Sequence, residues 1–101
     1  MNSITLPKHP EVTVRHCTLK RTDSYDGLGI LITADAETHL NHRIRDIERN
    51  SPGYRAGLRM NDRIISINGV NVENTDFNDV LVLIKEGLKN NNLQFSVRNE
   101  P

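Results

Sequence analysis

Val12, Val14, His16 and Thr18 alternate with Thr13, Arg15, Cys17 and Leu19, a period of two that predicts a strand. Residues 1–10 hold Pro7 and Pro10 with little periodicity, so they read as a flexible tail or linker ahead of a folded unit over 11–99. A polar loop from Lys20 to Asp26 and Gly27 lead into Leu28-Gly29-Ile30-Leu31-Ile32-Thr33, a second strand. Its unbroken hydrophobicity predicts cover on both faces. Ala34 to Asn41 is a polar, hairpin-like connection. A third strand is expected over His42–Glu48, anchored by Ile44 and Ile47, although anchors three apart also suit a helix.

Ser51-Pro52 has the form of an N-cap followed by a first-turn proline, and Gly57 that of a stop, which predicts a short helix over 52–56. Asp62 to Ile67 reads as a fourth strand, joined by the Asn68-Gly69 turn to a brief fifth over Val70–Val72. Thr75 or Asp76 can cap a longer helix over 76–86 that Gly87 ends. Phe77, Val80, Leu81, Ile84 and Leu88 form its apolar stripe. After the polar Lys89-Asn90-Asn91-Asn92 turn, Leu93, Phe95 and Val97 alternate in a last strand. The order is β-β-β-α-β-β-α-β, a mainly β class with two helices.

Composition narrows the function. A chain of 101 residues suits one domain. Thirteen basic and thirteen acidic residues give zero formal charge, which argues against nucleic-acid binding. No apolar stretch approaches a membrane span, and Met1 to Pro7 does not resemble a signal peptide. The single Cys17 excludes an internal disulfide and suits a reducing, cytoplasmic setting. The four aromatic residues, Tyr25, Tyr54, Phe77 and Phe95, imply an aliphatic core.

The loop Gly27-Leu28-Gly29-Ile30 carries the chemistry. Two glycines around one leucine allow a sharp turn and close approach of another molecule. The amides of Leu28, Gly29 and Ile30 can then converge into an anion-binding nest, where a terminal carboxylate accepts charge-assisted hydrogen bonds. By itself Gly-x-Gly ahead of a strand is only a turn or bulge.

This loop, Ser51-Pro52-Gly53-Tyr54-Arg55-Ala56-Gly57-Leu58 and Asp62-Arg63-Ile64-Ile65-Ser66-Ile67-Asn68-Gly69 resemble, in order and spacing, the PDZ domain family, from about Val12 to Arg98. The resemblance implies a six-stranded antiparallel sandwich or partly open barrel with the animal-type strand order. It also implies that a partner's C-terminus adds as a strand between the second strand and the long helix. Leu28, Gly29 and Ile30, with Gly27, then match the carboxylate-binding loop. Leu28, Ile30, Ile32 and Ile84 match the pocket for the last side chain. Ile30, Leu31, Ile32 and Thr33 form the strand-addition edge. Arg21, or Lys20 beside it, matches the basic residue that helps hold the carboxylate, although the family's usually lies nearer the glycines.

Many family members place a histidine where Phe77 stands, to bond a peptide Ser or Thr. Phe77 offers no such partner, and a hydroxyl buried against it loses its hydrogen bonds. Phe77 and Leu81 therefore predict an apolar-x-apolar-carboxylate ligand. The partners implied are tails of membrane receptors, channels or adhesion proteins at the cell cortex.

Other chemistry is thin. His39 and His42 lack the pattern of a metal helix, Cys17 has no assigned base, and no catalytic constellation or cofactor motif stands out, so neither enzyme activity, metal nor cofactor is expected. Arg43, Arg45, Arg49, Arg55, Arg59 and Arg63 outnumber Asp46, Glu48 and Asp62 over 42–63. Weak binding of anionic phospholipid headgroups through that stretch is one alternative. Internal-motif recognition and pairing of two such domains are others.

Overall fold

The computed structural model describes residues 13–100; the tail expected over 1–10 lies outside them. The elements follow the expected order: β1 (Val14–Leu19), β2 (Ile30–Thr33), β3 (Arg43–Ile47), α1 (Pro52–Arg55), β4 (Asp62–Ile67), β5 (Val70–Asn71), α2 (Phe77–Lys89) and β6 (Leu93–Asn99). The strands form one antiparallel sheet in the order β1-β6-β4-β3-β2, with β5 paired to β4. It is open rather than closed, and β2 ends it on one side.

One aliphatic core fills the fold. Ile44, Ile64, Ile67, Phe95 and Val97 from the sheet meet Val80 and Ile84 from α2, all fully or nearly fully buried. Phe95 is the only aromatic residue among them, as the composition suggested.

Two local expectations change, and the segment over 42–48 is settled in favour of a strand. β2 is not covered on both faces: Leu31 is 54% exposed while Ile30 and Ile32 pack toward the core. The core lies beneath one face of β2 only, so alternate residues point out to solvent. The Ile44–Ile47 spacing is a β-bulge, not a helical period. Ile30 and Ile32 stand opposite Ile47 and Ile44, so Arg45 is the extra residue that keeps both anchors inward.

Gly87 does not stop α2, which runs through it to Lys89. It is there for close packing: a Cβ at Gly87 would lie 2.8 Å from Leu93 Cδ1 and 3.0 Å from the Asn92 carbonyl. The chain turns instead at Asn91, in the left-handed region at φ 50°. At the other end, Asp76 caps α2 by accepting from the Asn78 amide at 3.0 Å.

Asp62 ties the sheet to α1 and its following loop. Fully buried, it accepts hydrogen bonds from Nη1 and Nη2 of Arg15 (3.0 and 2.6 Å), the Arg59 amide (2.7 Å) and the Asn99 side chain (3.1 Å). Arg15 also donates to the Gly57 carbonyl at 2.8 Å. That hydrogen bond to Asp62 is the main reason the Arg15 pKa rises above its ordinary value.

Candidate functional site

The glycine loop is held from behind. The Leu28 carbonyl accepts from the Gly53 amide (3.0 Å), and the Gly29 carbonyl accepts from the Glu48 amide (2.9 Å). In a trans peptide the carbonyl and the following N–H point opposite ways. Fixing these two carbonyls toward α1 and β3 therefore aims the Gly29 and Ile30 N–H groups away from both.

Gly27 and Gly29 stand at φ 80° and 70°, where a side chain is strained. At Gly29 there is no space either, because a Cβ would collide with that of Ser51 and lie 2.6 Å from its Oγ. Ser51 is itself fixed: its hydroxyl donates to the Glu48 carbonyl (2.7 Å) and accepts from the Tyr54 amide (3.1 Å). A Cβ on Gly53 would collide with Ile30. Ser51 and Gly53 thus brace the loop, a role that the reading of Ser51 as a helix cap does not reveal.

The edge beyond the loop is open. Ile30 and Ile47 flank the Glu48-to-Gly29 bond as a non-hydrogen-bonded pair, so the Ile30 main chain faces away from β3. Ile30, Leu31, Ile32 and Thr33 form the last strand of the sheet, as a strand-addition edge requires.

α2 runs beside this edge in the opposite direction. Its first turn, with Phe77 and Asn78, lines a cleft of about 380 Å³ with Thr33 and Ala34 from the far end of β2. Leu88 and Lys89, in its last turn, share another depression with Arg21 and Asp23 from the β1–β2 loop. Between these ends Ile84 belongs to the core against which Leu28, Ile30 and Ile32 pack. The four residues matched to the terminal pocket therefore share one apolar cluster.

Phe77 and Leu81 are both half-buried, one helical turn apart. Behind Phe77 lies His42, 1% exposed, with ring centroids 6.0 Å apart. His42 Nε2 is 2.6 Å from the Thr75 carbonyl and must carry the proton, since a carbonyl only accepts. His42 thus positions the start of α2. His39, far more exposed, lies 3.4 Å from the Asp76 carboxylate. No group of three metal-ligating side chains occurs among the described residues.

Arg21 lies near the last turn of α2. It lines the depression beside Leu88, Lys89 and Asn91, whereas Gly27 to Ile30 line another cleft with Asp26, Asp46 and Glu48, whose carboxylates would repel an anion there. No residue of α2 lines that cleft.

The six arginines over 43–63 do not gather into one patch. Arg43 and Arg63 meet acidic partners on the sheet, while the Arg59 guanidinium stacks 3.9 Å over the Tyr54 ring. Cys17 is buried, and burial pushes its thiol above the ordinary value, the reverse of an activated nucleophile.

Comparison with known proteins agrees with this architecture. The Na(+)/H(+) exchange regulatory cofactor NHE-RF1 of Gallus gallus is 32% identical over 81 residues, which cover 80% of this chain and 23% of that protein. Cofactor NHE-RF2 of Mus musculus is 35% identical over 75 residues, 74% of this chain and 21% of that protein. The chain thus spans under a quarter of the length of these relatives. The structure of the PDZ domain of choanoflagellate SHANK1 bound to a GIRK3 peptide superposes with a TM-score of 0.72 at 22% identity, over 88% of this chain and 94% of that one. A family model for the PDZ domain matches residues 43–93, half of the sequence, and the chain belongs to the PDZ domain family.

Proposed function

We propose that this chain is a non-enzymatic interaction module that binds the C-terminal peptide of a partner as an added strand between β2 and α2. The observation that carries the reading is the pinned loop at an open edge. Two carbonyls are held inward, two amides are aimed outward, and the strand that follows them ends the sheet. An incoming strand would take main-chain bonds from β2, and its carboxylate would take the loop amides. Leu28, Ile30, Ile32 and Ile84 would receive the terminal side chain. Phe77 and Leu81 would face the residue two before it, favouring an apolar one.

The SHANK1 domain bound to a GIRK3 peptide offers a precedent of similar fold. By analogy, the partners are tails of channels, receptors or adhesion proteins, in a scaffold working at the cytoplasmic face of a membrane. A short strand with two anchors supports affinities of about micromolar strength.

The test is a matched pair of peptides ending in apolar-x-apolar, one with a free carboxylate and one amidated. Calorimetry should show the amide binding at least about tenfold more weakly, the loss of one charge-assisted contact. Equal affinity would overturn carboxylate recognition by the loop.

A further inference from the structure

Strand alternation turns Ile44, Ile64 and Val97 into the core, so their neighbours Arg43, Arg63 and Arg98 stand on the opposite face of the sheet. Arg43 pairs across the strands with Arg63, and Arg63 with Arg98. Three cations thus form one row, although like charges placed directly opposite are unfavourable.

Glu100 reaches back into this row. Arg43 donates to its Oε1 (3.1 Å) and to its carbonyl (3.0 Å), and Arg98 donates through Nε to Oε2 (2.9 Å). The central arginine makes only long ion pairs. Arg63 comes no nearer a carboxylate oxygen than 3.4 Å at Glu73 and 3.7 Å at Glu100, and its buried Nε has no hydrogen-bond partner among the described residues. Two carboxylates against three guanidinium groups leave a positive excess, centred on donors that are poorly used.

We infer that Arg63, flanked by Arg43 and Arg98, is a binding site for a phosphate-type anion, and that Glu100 occupies it in the resting fold. A carboxylate brings two oxygens and one charge. A phosphate monoester brings three acceptor oxygens and about two charges, and guanidinium forks match it bidentately. The Glu100 side chain can leave without unpairing its backbone, because its amide is held by the Asn61 carbonyl at 2.9 Å. The site lies on the sheet face opposite the core and uses none of the residues assigned to the peptide groove. The ligand is either a free phosphate or a phosphorylated lipid headgroup.

The test titrates the chain with inorganic phosphate at constant ionic strength while following the arginine Nε–H resonances by NMR. Arg63 should shift saturably and more than the exposed Arg49 and Arg55. Glu100→Gln should tighten phosphate binding about tenfold by removing the competing carboxylate, and Arg63→Gln should lose it. Should Arg63→Gln not fold, Arg63→Lys keeps the charge, removes the fork and should bind several-fold more weakly. Parallel flotation uses phosphatidylcholine vesicles with and without a phosphoinositide. Phosphoinositide-dependent binding that Arg63 substitution abolishes identifies a headgroup, and phosphate binding without vesicle binding identifies a free anion. The inference fails if Arg63 shifts no more than Arg49 and neither vesicle binds, or if Arg63 substitution leaves binding unchanged.

Discussion

The two sides of this sheet treat their polar groups in opposite ways. Around Asp62, both carboxylate oxygens are taken up by Arg15, Arg59 and Asn99, and nothing is left for an outside molecule. At the β2 edge the carbonyls of Leu28 and Gly29 are satisfied from behind while the adjoining amides face outward. The first arrangement stabilises the chain, and the second, on the proposed function, prepares it for a partner. Substitutions in the two regions should therefore separate stability from binding.

The largest effect should come from Asp62→Ala. It strips Arg15, the Arg59 amide and Asn99 of a shared acceptor at a buried position, and breaking such a pair costs about 3 kcal/mol or more. The urea midpoint should fall accordingly, while peptide affinity, measured where the variant is still folded, should hardly change. A large loss of affinity in the folded variant would erase the division between the two regions.

Gly29→Ala should come next. Left-handed φ costs roughly 1–2 kcal/mol for a residue with a Cβ, and collision with Ser51 adds about another 1–3 kcal/mol. Peptide binding should be lost as well, because the loop must move to admit the methyl group. Gly27→Ala is the control: its φ of 80° is similar, but nothing lies within 4 Å of the added atom. It should cost only the roughly 1–2 kcal/mol of strain. If both variants bind and unfold alike, packing of the loop against Ser51 has no special role.

Much of this contrast could be read from the chain, and the exceptions share a cause. Element order and the caps at Ser51 and Asp76 depend on neighbours in sequence, so local patterns reveal them. The β3 bulge depends on how β2 pairs, which turns Ile44 and Ile47 from a helical period into two inward anchors around Arg45. Gly87 reads as a stop until Leu93 is seen packed against it. Asp62 begins a strand like any polar residue, and only the fold brings Arg15 to it from 47 positions away. The arginine-rich stretch is a like case, since only the sheet shows a row that takes two members from it and a third, Arg98, from β6. The glycine loop was legible because its turn is local; Ser51 and Gly53, which brace it, were not.

Within the groove, Phe77→His should alter selectivity more than stability. Phe77 is half-buried at the start of α2, so an imidazole there remains partly solvated. It should favour Ser or Thr over an apolar residue two positions before the peptide terminus by about tenfold relative to the parent, the value of roughly one hydrogen bond. Paired peptides differing only at that position would measure this. Unchanged selectivity would remove Phe77 from the groove and leave it as a lid on His42.

The smallest effect concerns pH. Partial burial pushes the Glu100 carboxyl up, but the Arg98 hydrogen bond and the charges of Arg63, Arg98 and Arg43 outweigh it, so the pKa lies below the ordinary glutamate value. A lowered carboxylate pKa gives stability that is present above the unfolded value and lost as pH falls through the folded one. Between those two values stability should decline slightly, and Glu100→Gln should remove that part of the decline. Peptide affinity should not follow the same titration, because the arginine row and the β2 edge use different residues. A groove whose affinity tracked Glu100 protonation would mean that the two faces of the sheet are coupled. Independent titration would leave the β2 edge to recognition and the opposite face to its own anion.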